Sequence, residues 1–278
     1  MLNVFRRVKL LGGPVDIASR DEVLAFIADT VAASRKAIIG NQNLHSLKLS
    51  QADASLRAFF DMADLIEIDS MPLLHWGRLL GLPLTTVHRS TYLDWRGDFW
   101  TAGAQRGWRV FLLGATETVN DGAVARLQAE WPGATISGHH GFFDHRRDGS
   151  DNAAVVAQIN AFRPDVLLVG MGMPLQETWI GENYADIDSG VVLSIGAAFD
   201  YEAGEQKAAP RIYGILCLEW LFRLVHDPRR LFRRYLIEPW DLVGPAVADL
   251  LGAPTSTRQP VSVAGLDGPM LADMASPE

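Results

Sequence analysis

From about residue 20 the chain alternates two patterns: amphipathic segments with apolar residues every three or four positions, and short continuous apolar runs. Helices are predicted over Asp21–Ser34, Leu44–Met62, Val119–Trp131, Asn152–Phe162 and Gln176–Ala185. Strands are predicted over Ala37–Gly40, Asp64–Ile68, Trp108–Leu113, Ala134–Ser137, Asp165–Val169 and Gly190–Ile195. Runs without polar alternation suit parallel strands whose two faces are both covered by helices. The fold class is therefore α/β, a Rossmann-like parallel sheet with helices on both faces.

In such a sheet a ligand gathers at the carboxyl ends of the strands. The residues there are Asn41 and Asn43 after Ala37–Gly40, Asp69 after Asp64–Ile68 and Gly114 after Trp108–Leu113. Gly170 and Gly172 follow Asp165–Val169, and Gly196 and Asp200 follow Gly190–Ile195. Together they offer carboxylates, amides and glycines that let a phosphate or sugar approach the backbone, although a tight turn accounts for any one glycine equally well.

No GxGxxG or GxxxxGK[ST] follows a strand, which argues against nicotinamide dehydrogenases and P-loop ATPases. Asp186-Ile-Asp188 has the spacing of a metal-binding DxD but precedes a strand, at the wrong end of the sheet, and reads as structural. His139, His140 and His145 lack acidic or cysteine companions at ligand spacing and read as loop residues. Neither a metal nor a cofactor is expected.

Composition adds an address. The 278 residues include one cysteine, Cys217, which fits a reducing compartment, and the apolar stretches are too short for a membrane span or a secretory signal. A net charge of −8 argues against nucleic acid as a partner. That average hides a reversal. Between Lys207 and Leu236, Lys207, Arg211, Arg223, Arg229, Arg230, Arg233 and Arg234 face only Glu219 and Asp227. Such a region meets phosphate or an anionic membrane, or else forms a solvated basic face.

Within it, Glu219 and Arg223 are spaced for a helical ion pair. Asp227-Pro228 reads as an N-cap and first helical residue. On the helix that follows, Arg229, Arg230, Arg233 and Arg234 fall within about 140° of arc, opposite Leu231, Phe232, Tyr235 and Leu236. Three segments are expected: a catalytic α/β domain over 1–205, a basic helical appendage over 206–250 that binds membrane or diphosphate, and a disordered tail over 251–278 rich in Gly, Pro and Ser.

The run Gly170–Trp179 (GMGMPLQETW) is followed by Gly196–Asp200 (GAAFD), Ala203-Gly204, Ala209-Pro210, Leu218-Glu-Trp220, Arg223, Pro228-Arg-Arg230 and Arg233-Arg-Tyr235. With Asn43, Asp69, Gly81, Arg89 and Leu112-Leu-Gly114 upstream, this ordered set resembles the TagA/WecG/CpsF glycosyltransferases over roughly residues 10–240. The resemblance implies transfer of a sugar from a UDP-sugar donor to a polyprenyl-diphosphate-linked saccharide acceptor, with inversion to a β linkage and no required metal. Such transfer belongs to bacterial exopolysaccharide or cell-surface polysaccharide assembly, at the inner face of the cytoplasmic membrane. It assigns the general base to Asp69, which inversion needs to take the acceptor proton. Asp69 also suits a helix N-cap.

The same resemblance carries Asn43, Arg89, Gly114, Gly170, Gly172, Gln176, Glu177 and Asp200 to the donor and acceptor pocket, the amides of Asn43 and Gln176 suiting sugar hydroxyls or uracil, and Asn41 joins them by its strand-end position. Arg223, Arg230 and Arg233, with Arg229 and Arg234 beside them, become the cations facing diphosphate and membrane. Trp76 and Tyr92 are candidates to stack on a sugar, or core aromatics. The chain departs from the family pattern at Asn41, Ser70, Leu175 and Ala208 in place of threonine, glycine, lysine and arginine. The donor sugar is therefore open between N-acetylmannosamine, glucose, mannose and a uronic acid. A non-catalytic nucleotide-sugar-binding scaffold and a nucleotide-sugar hydrolase are the rival readings, and a homo-oligomer is left open.

Overall fold

The computed structural model describes residues 5–205, 221, 224, 225 and 228–252, with the Arg230 side chain outside that set. The expectations for Arg223, for the Glu219–Arg223 pair and for the tail beyond 252 lie outside the described residues.

Six parallel strands form the centre, in the order β4-β3-β8-β7-β5-β6. They are β3 (Ala37–Gln42), β4 (Leu65–Ile68), β5 (Arg109–Gly114), β6 (Thr135–His139), β7 (Val166–Gly170) and β8 (Val191–Ser194). Their apolar runs divide between the faces with period two, as pleating requires. Ile39, Leu112, Leu168 and Leu193 pack with Phe26, Phe99, Leu127 and Phe199 of α1 (Arg20–Ala32), α5 (Tyr92–Arg106), α6 (Glu117–Glu130) and α9 (Ala198–Ala203). Ile38, Phe111, Leu167 and Val192 pack with Phe60, Ile159 and Trp179 of α3 (Ala54–Met62), α7 (Ser150–Phe162) and α8 (Leu175–Asn183). The expected α/β class is the observed one.

Several local expectations change. The helix expected over residues 44–62 is two helices, α2 (Leu44–Ala52) and α3, because the Asp53 carboxylate accepts from the N–H groups of Ser55 (2.9 Å) and Leu56 (3.1 Å). An aspartate with that reach caps a new helix rather than continuing an old one. β3 extends through Gln42, so Asn41 lies within the strand. Ser70, not Asp69, is the N-cap of α4 (Met71–Leu79). Tyr92 is buried, and its hydroxyl donates to Glu202 at 2.5 Å, which makes it a core aromatic. Asp186 accepts from Arg147 (2.8 Å), and the Asp188 N–H donates to Asn160.

An antiparallel hairpin, β1 (Arg6–Leu10) and β2 (Gly13–Ile17), precedes the sheet. Arg7 and Asp16 clip it to β4. The Arg7 guanidinium donates to Asp16 at 2.9 and 2.7 Å and to the Ala63 carbonyl at 2.9 Å, while Asp16 Oδ2 accepts the Ile66 N–H at 2.8 Å. Both side chains are almost fully buried.

The described carboxyl-terminal elements pack on this hairpin and on α2 and α4. They are α10 (Pro228–Phe232), a π-helical turn over Arg233–Ile237, a 3₁₀ turn over Glu238–Leu242 and α11 (Val243–Leu251). Leu242 is buried with Val8, Leu10, Leu47 and Leu74, and Asp249 Oδ2 accepts from the Leu11 N–H (2.7 Å) and the Trp76 indole N–H (2.9 Å). The amphipathic helix expected from Arg229 to Leu236 is interrupted at Arg233. The wider i→i+5 turn changes which side chains share a face. Leu231 is buried, whereas Phe232, Leu236 and Ile237 are exposed.

Asp16→Ala leaves the Arg7 charge buried without its partner. It should lower unfolding stability by roughly 3–5 kcal/mol, read as a fall in the urea midpoint.

Candidate active site

The connections leaving β5 and β7 diverge: α6 leads outward to β6, and α8 leads inward to β8 across the opposite face. Divergence of this kind opens a crevice at the carboxyl ends of the two strands. The approach there is close. A Cβ on Gly114, whose φ is 147°, would stand 2.2 Å from the Gly170 carbonyl oxygen, and one on Gly170 would meet the Phe199 ring at 2.7 Å. Gly172, at φ 82°, leaves open space where a side chain would stand.

Gln176 ties the crevice together. Its Oε1 accepts the N–H groups of Gly172 (3.2 Å) and Gly196 (3.1 Å), the loops after β7 and β8, and its Nε2 donates to Glu177 Oε1 at 2.6 Å. Both side chains are buried, and burial pushes the Glu177 carboxyl up to about 7. In the described structure the Gln176 amide is therefore engaged by protein groups, and it shapes the loops around the crevice. Asp200 lies in the first turn of α9, beyond β8.

At the β3–β4 edge, Asp69 follows the last residue of β4, and its backbone N–H donates to the Gln42 carbonyl at 3.0 Å. Asn43 holds its side chain. The Asn43 Nδ2 donates to Asp69 Oδ2 at 2.8 Å, while its Oδ1 accepts the N–H groups of His45 (3.0 Å) and Ser46 (3.1 Å) as the N-cap of α2. The helix start thus fixes the amide, and the amide fixes one oxygen of a partly exposed carboxylate. A partly exposed carboxylate held this way suits proton abstraction.

Asn41 points its Nδ2 at the Ser194 carbonyl. Arg89 lies alongside the end of β4 through a bridge to Ile68, and its guanidinium donates to both oxygens of Asp94 at 3.0 and 3.1 Å. Asp69, Asn41, Asn43 and Arg89 are thereby gathered at one end of the sheet, and Gly114, Gly170, Gly172 and Gln176 occupy the adjoining strand ends. A shallow open cleft of about 230 Å³, lined by Thr116, Glu117, His140 and Phe142, lies beside the end of β5.

Among the basic residues, Arg229 and Arg233 are exposed and Arg234 is half-buried, 6.0 Å from the centroid of the Tyr235 ring. Their segment reaches the Asp69 neighbourhood through His45, whose Nδ1 lies 2.6 Å from Glu238 Oε2. Burial and then the Arg234 charge lower the His45 pKa below its ordinary value.

Residues 8–255 match the glycosyl transferase WecG/TagA/CpsF family. The chain belongs to this family. Over 125 residues it is 38% identical to the N-acetylglucosaminyldiphosphoundecaprenol N-acetyl-beta-D-mannosaminyltransferase of Staphylococcus aureus strain MRSA252, and equally to that of strain MW2. The matched segment spans 45% of this chain and 47% of each relative.

Sequence reading missed two site features. Glu67 is a buried carboxyl two residues before Asp69, and its signal was an acid inside the apolar run Leu65–Ile68. The His45–Glu238 contact joins residues 193 positions apart and left no local signal.

Asn43→Asp retains an N-cap but exchanges the donor facing Asp69 for a like charge. The acid limb of the pH–rate profile should move upward by roughly one unit while the melting temperature stays near that of the wild type.

Proposed function

We propose that this protein is an inverting glycosyltransferase that moves a sugar from a UDP-sugar donor to a polyprenyl-diphosphate-linked saccharide. It acts in exopolysaccharide or cell-surface polysaccharide assembly, at the inner face of the cytoplasmic membrane. The observation that carries the reading is the Asn43-anchored Asp69 at the carboxyl end of the sheet. Family membership supports it, and so does the diphosphate-linked saccharide named in the relatives' activity.

In this reading the Asp69 carboxylate takes the proton from the acceptor hydroxyl. The hydroxyl oxygen then bonds to the anomeric carbon from the side opposite UDP, and the bond from that carbon to the diphosphate breaks, its electron pair leaving with UDP. One displacement inverts the anomeric centre and gives the β linkage. The negative charge that develops on UDP calls for fixed cations. Arg229, Arg233 and Arg234 lie on a segment fastened near Asp69 through His45, and Arg223 and Arg230 belong to the same basic stretch. The glycine-lined crevice admits a diphosphate to backbone distance. The exposed ring of Phe142 beside β5 offers a face on which a uracil stacks.

The same segment supports membrane contact. Trp240 is 75% exposed and Leu251 85% exposed, with exposed Val243, Val247 and Leu250 between them and Ile237, Arg233 and Arg229 upstream. Apolar residues beside arginines suit the interface of an anionic bilayer. Among the described residues no helix is long and apolar enough to cross a membrane.

UDP release should be measured with a panel of UDP-sugars, protein on anionic lipid vesicles, and polyprenyl-diphosphate-linked acceptors. Acceptor-dependent release should fall by roughly 10²–10⁴-fold in Asp69→Asn while UDP affinity holds. Full activity in that variant removes Asp69 from the mechanism, and release that ignores the acceptor makes the protein a hydrolase. Truncation after Val225 should weaken vesicle flotation and turnover together; a truncated protein that binds and turns over normally refutes the membrane role.

A further inference from the structure

Two buried polar atoms, on register-paired residues beneath the Asp69 end of the sheet, have no hydrogen bond. Asn41 on β3 and Glu67 on β4 are register partners in adjacent parallel strands, so their side chains project from the same face. That face packs against α1 and α5. Glu67 is 1% exposed. Its Oε1 accepts from the Ser90 hydroxyl and from the Trp95 indole N–H at 3.1 Å, and its Oε2 has no partner. Asn41 spends Nδ2 on the Ser194 carbonyl of β8, on the far side of β3 from β4, and its Oδ1 likewise has no partner.

A buried carboxylate with one oxygen unsatisfied and a buried amide carbonyl unsatisfied are each costly. One proton resolves both. We propose that Glu67 is a positioning residue that remains a carboxylic acid in the folded protein and donates its Oε2 proton to Asn41 Oδ1, locking β3 to β4 directly beneath Asp69. The charged groups around it favour the neutral acid. Asp69 at the end of its own strand and Asp94 of α5 both repel a charge on Glu67, and Arg89, on the segment bridged to the end of β4, is paired with Asp94. Burial, with these two aspartates adding to it, pushes the Glu67 carboxyl up to about 8.

The lock bears on the site in two ways. Through Ser90 and Trp95 it holds the segment that carries Arg89 against the edge of β4, where the Ser90 N–H donates to the Ile68 carbonyl at 3.0 Å. As a neutral group it also keeps a second negative charge away from Asp69, whose use as a base depends on remaining ionised. The effect on turnover rests on the transferase reading; the proton itself does not.

The test compares the full-length wild type with Glu67→Gln and Glu67→Ala. Glutamine reproduces the proposed bonding, since its Oε1 accepts from Ser90 and Trp95 and its Nε2 donates to Asn41. The infrared difference spectrum, wild type minus Glu67→Gln at pH 6.5, should show a protonated carboxyl band; Glu177, the other raised carboxyl among the described residues, is common to both and cancels. An acid with a raised folded-state pKa contributes stability that is fully present below its unfolded value near 4.5 and is lost as the pH rises toward about 8. The wild-type melting temperature should therefore fall relative to that of Glu67→Gln across this window. On lipid-linked acceptor, Glu67→Ala should lose at least tenfold in turnover at pH 7, with Glu67→Gln rescuing most of the loss and lacking the wild type's decline above pH 8.

Absence of the band, or melting profiles that run parallel with pH, overturns the proposal and makes Glu67 an ionised anchor. Loss of turnover in Glu67→Gln equal to that in Glu67→Ala, with melting intact, overturns the positioning role. The infrared and melting arms need no substrate, so they decide the proton even where the transferase reading fails.

Discussion

A parallel sheet covered by helices on both faces has nowhere to put a reactive polar side chain except at the ends of its strands. Here the interior is spent on alternating Ile, Leu, Val and Phe side chains, each committed to one helical layer. Polar groups therefore collect at the carboxyl ends, where the backbone N–H and C=O groups of the outgoing loops also need partners. Asn43 and Gln176 show the same solution twice. Each uses one end of its amide to satisfy backbone N–H groups of a loop or helix start, and the other end to hold a carboxyl group. One of those carboxyls, Asp69, is partly exposed, and the other, Glu177, is sealed. The same constraint thus produces a reagent in one place and a brace in the other.

The strands were legible because a continuous apolar run carries its own evidence, and the residues after each run followed directly. Asp69, Asn43, Gly114 and Gly170 can each be placed at a strand end from the sequence alone. What it could not reach was set by register and distance. Asn41 opposes Glu67 only because β3 and β4 pair in one register, and nothing in either segment alone announces it. The β1–β2 hairpin was invisible for a different reason. Arg7 and Asp16 look like surface residues in a pattern, and they are buried because they satisfy each other and three backbone groups in and just before β4.

The carboxyl-terminal region was legible in charge and not in shape. Counting arginines pointed to a basic appendage, and constant 100° steps gave it a clean two-faced helix. The π-helical turn at Arg233–Ile237 and the 3₁₀ turn after it break those steps. The consequence is an apolar surface built from several short pieces, with Trp240 and α11 extending it well past the arginines.

The bond from Leu11 N–H to Asp249 spans 238 positions, which has a meaning in time as well as in space. During synthesis the hairpin, α2 and α4 are made long before α11, yet their shared core is completed only when Leu242 joins it. The apolar stripe is fastened to them by buried Leu242, by the His45–Glu238 contact and by a carboxylate shared between a backbone amide and an indole. Synthesis thus presents this exposed apolar stripe only after every strand of the six-stranded sheet has been made.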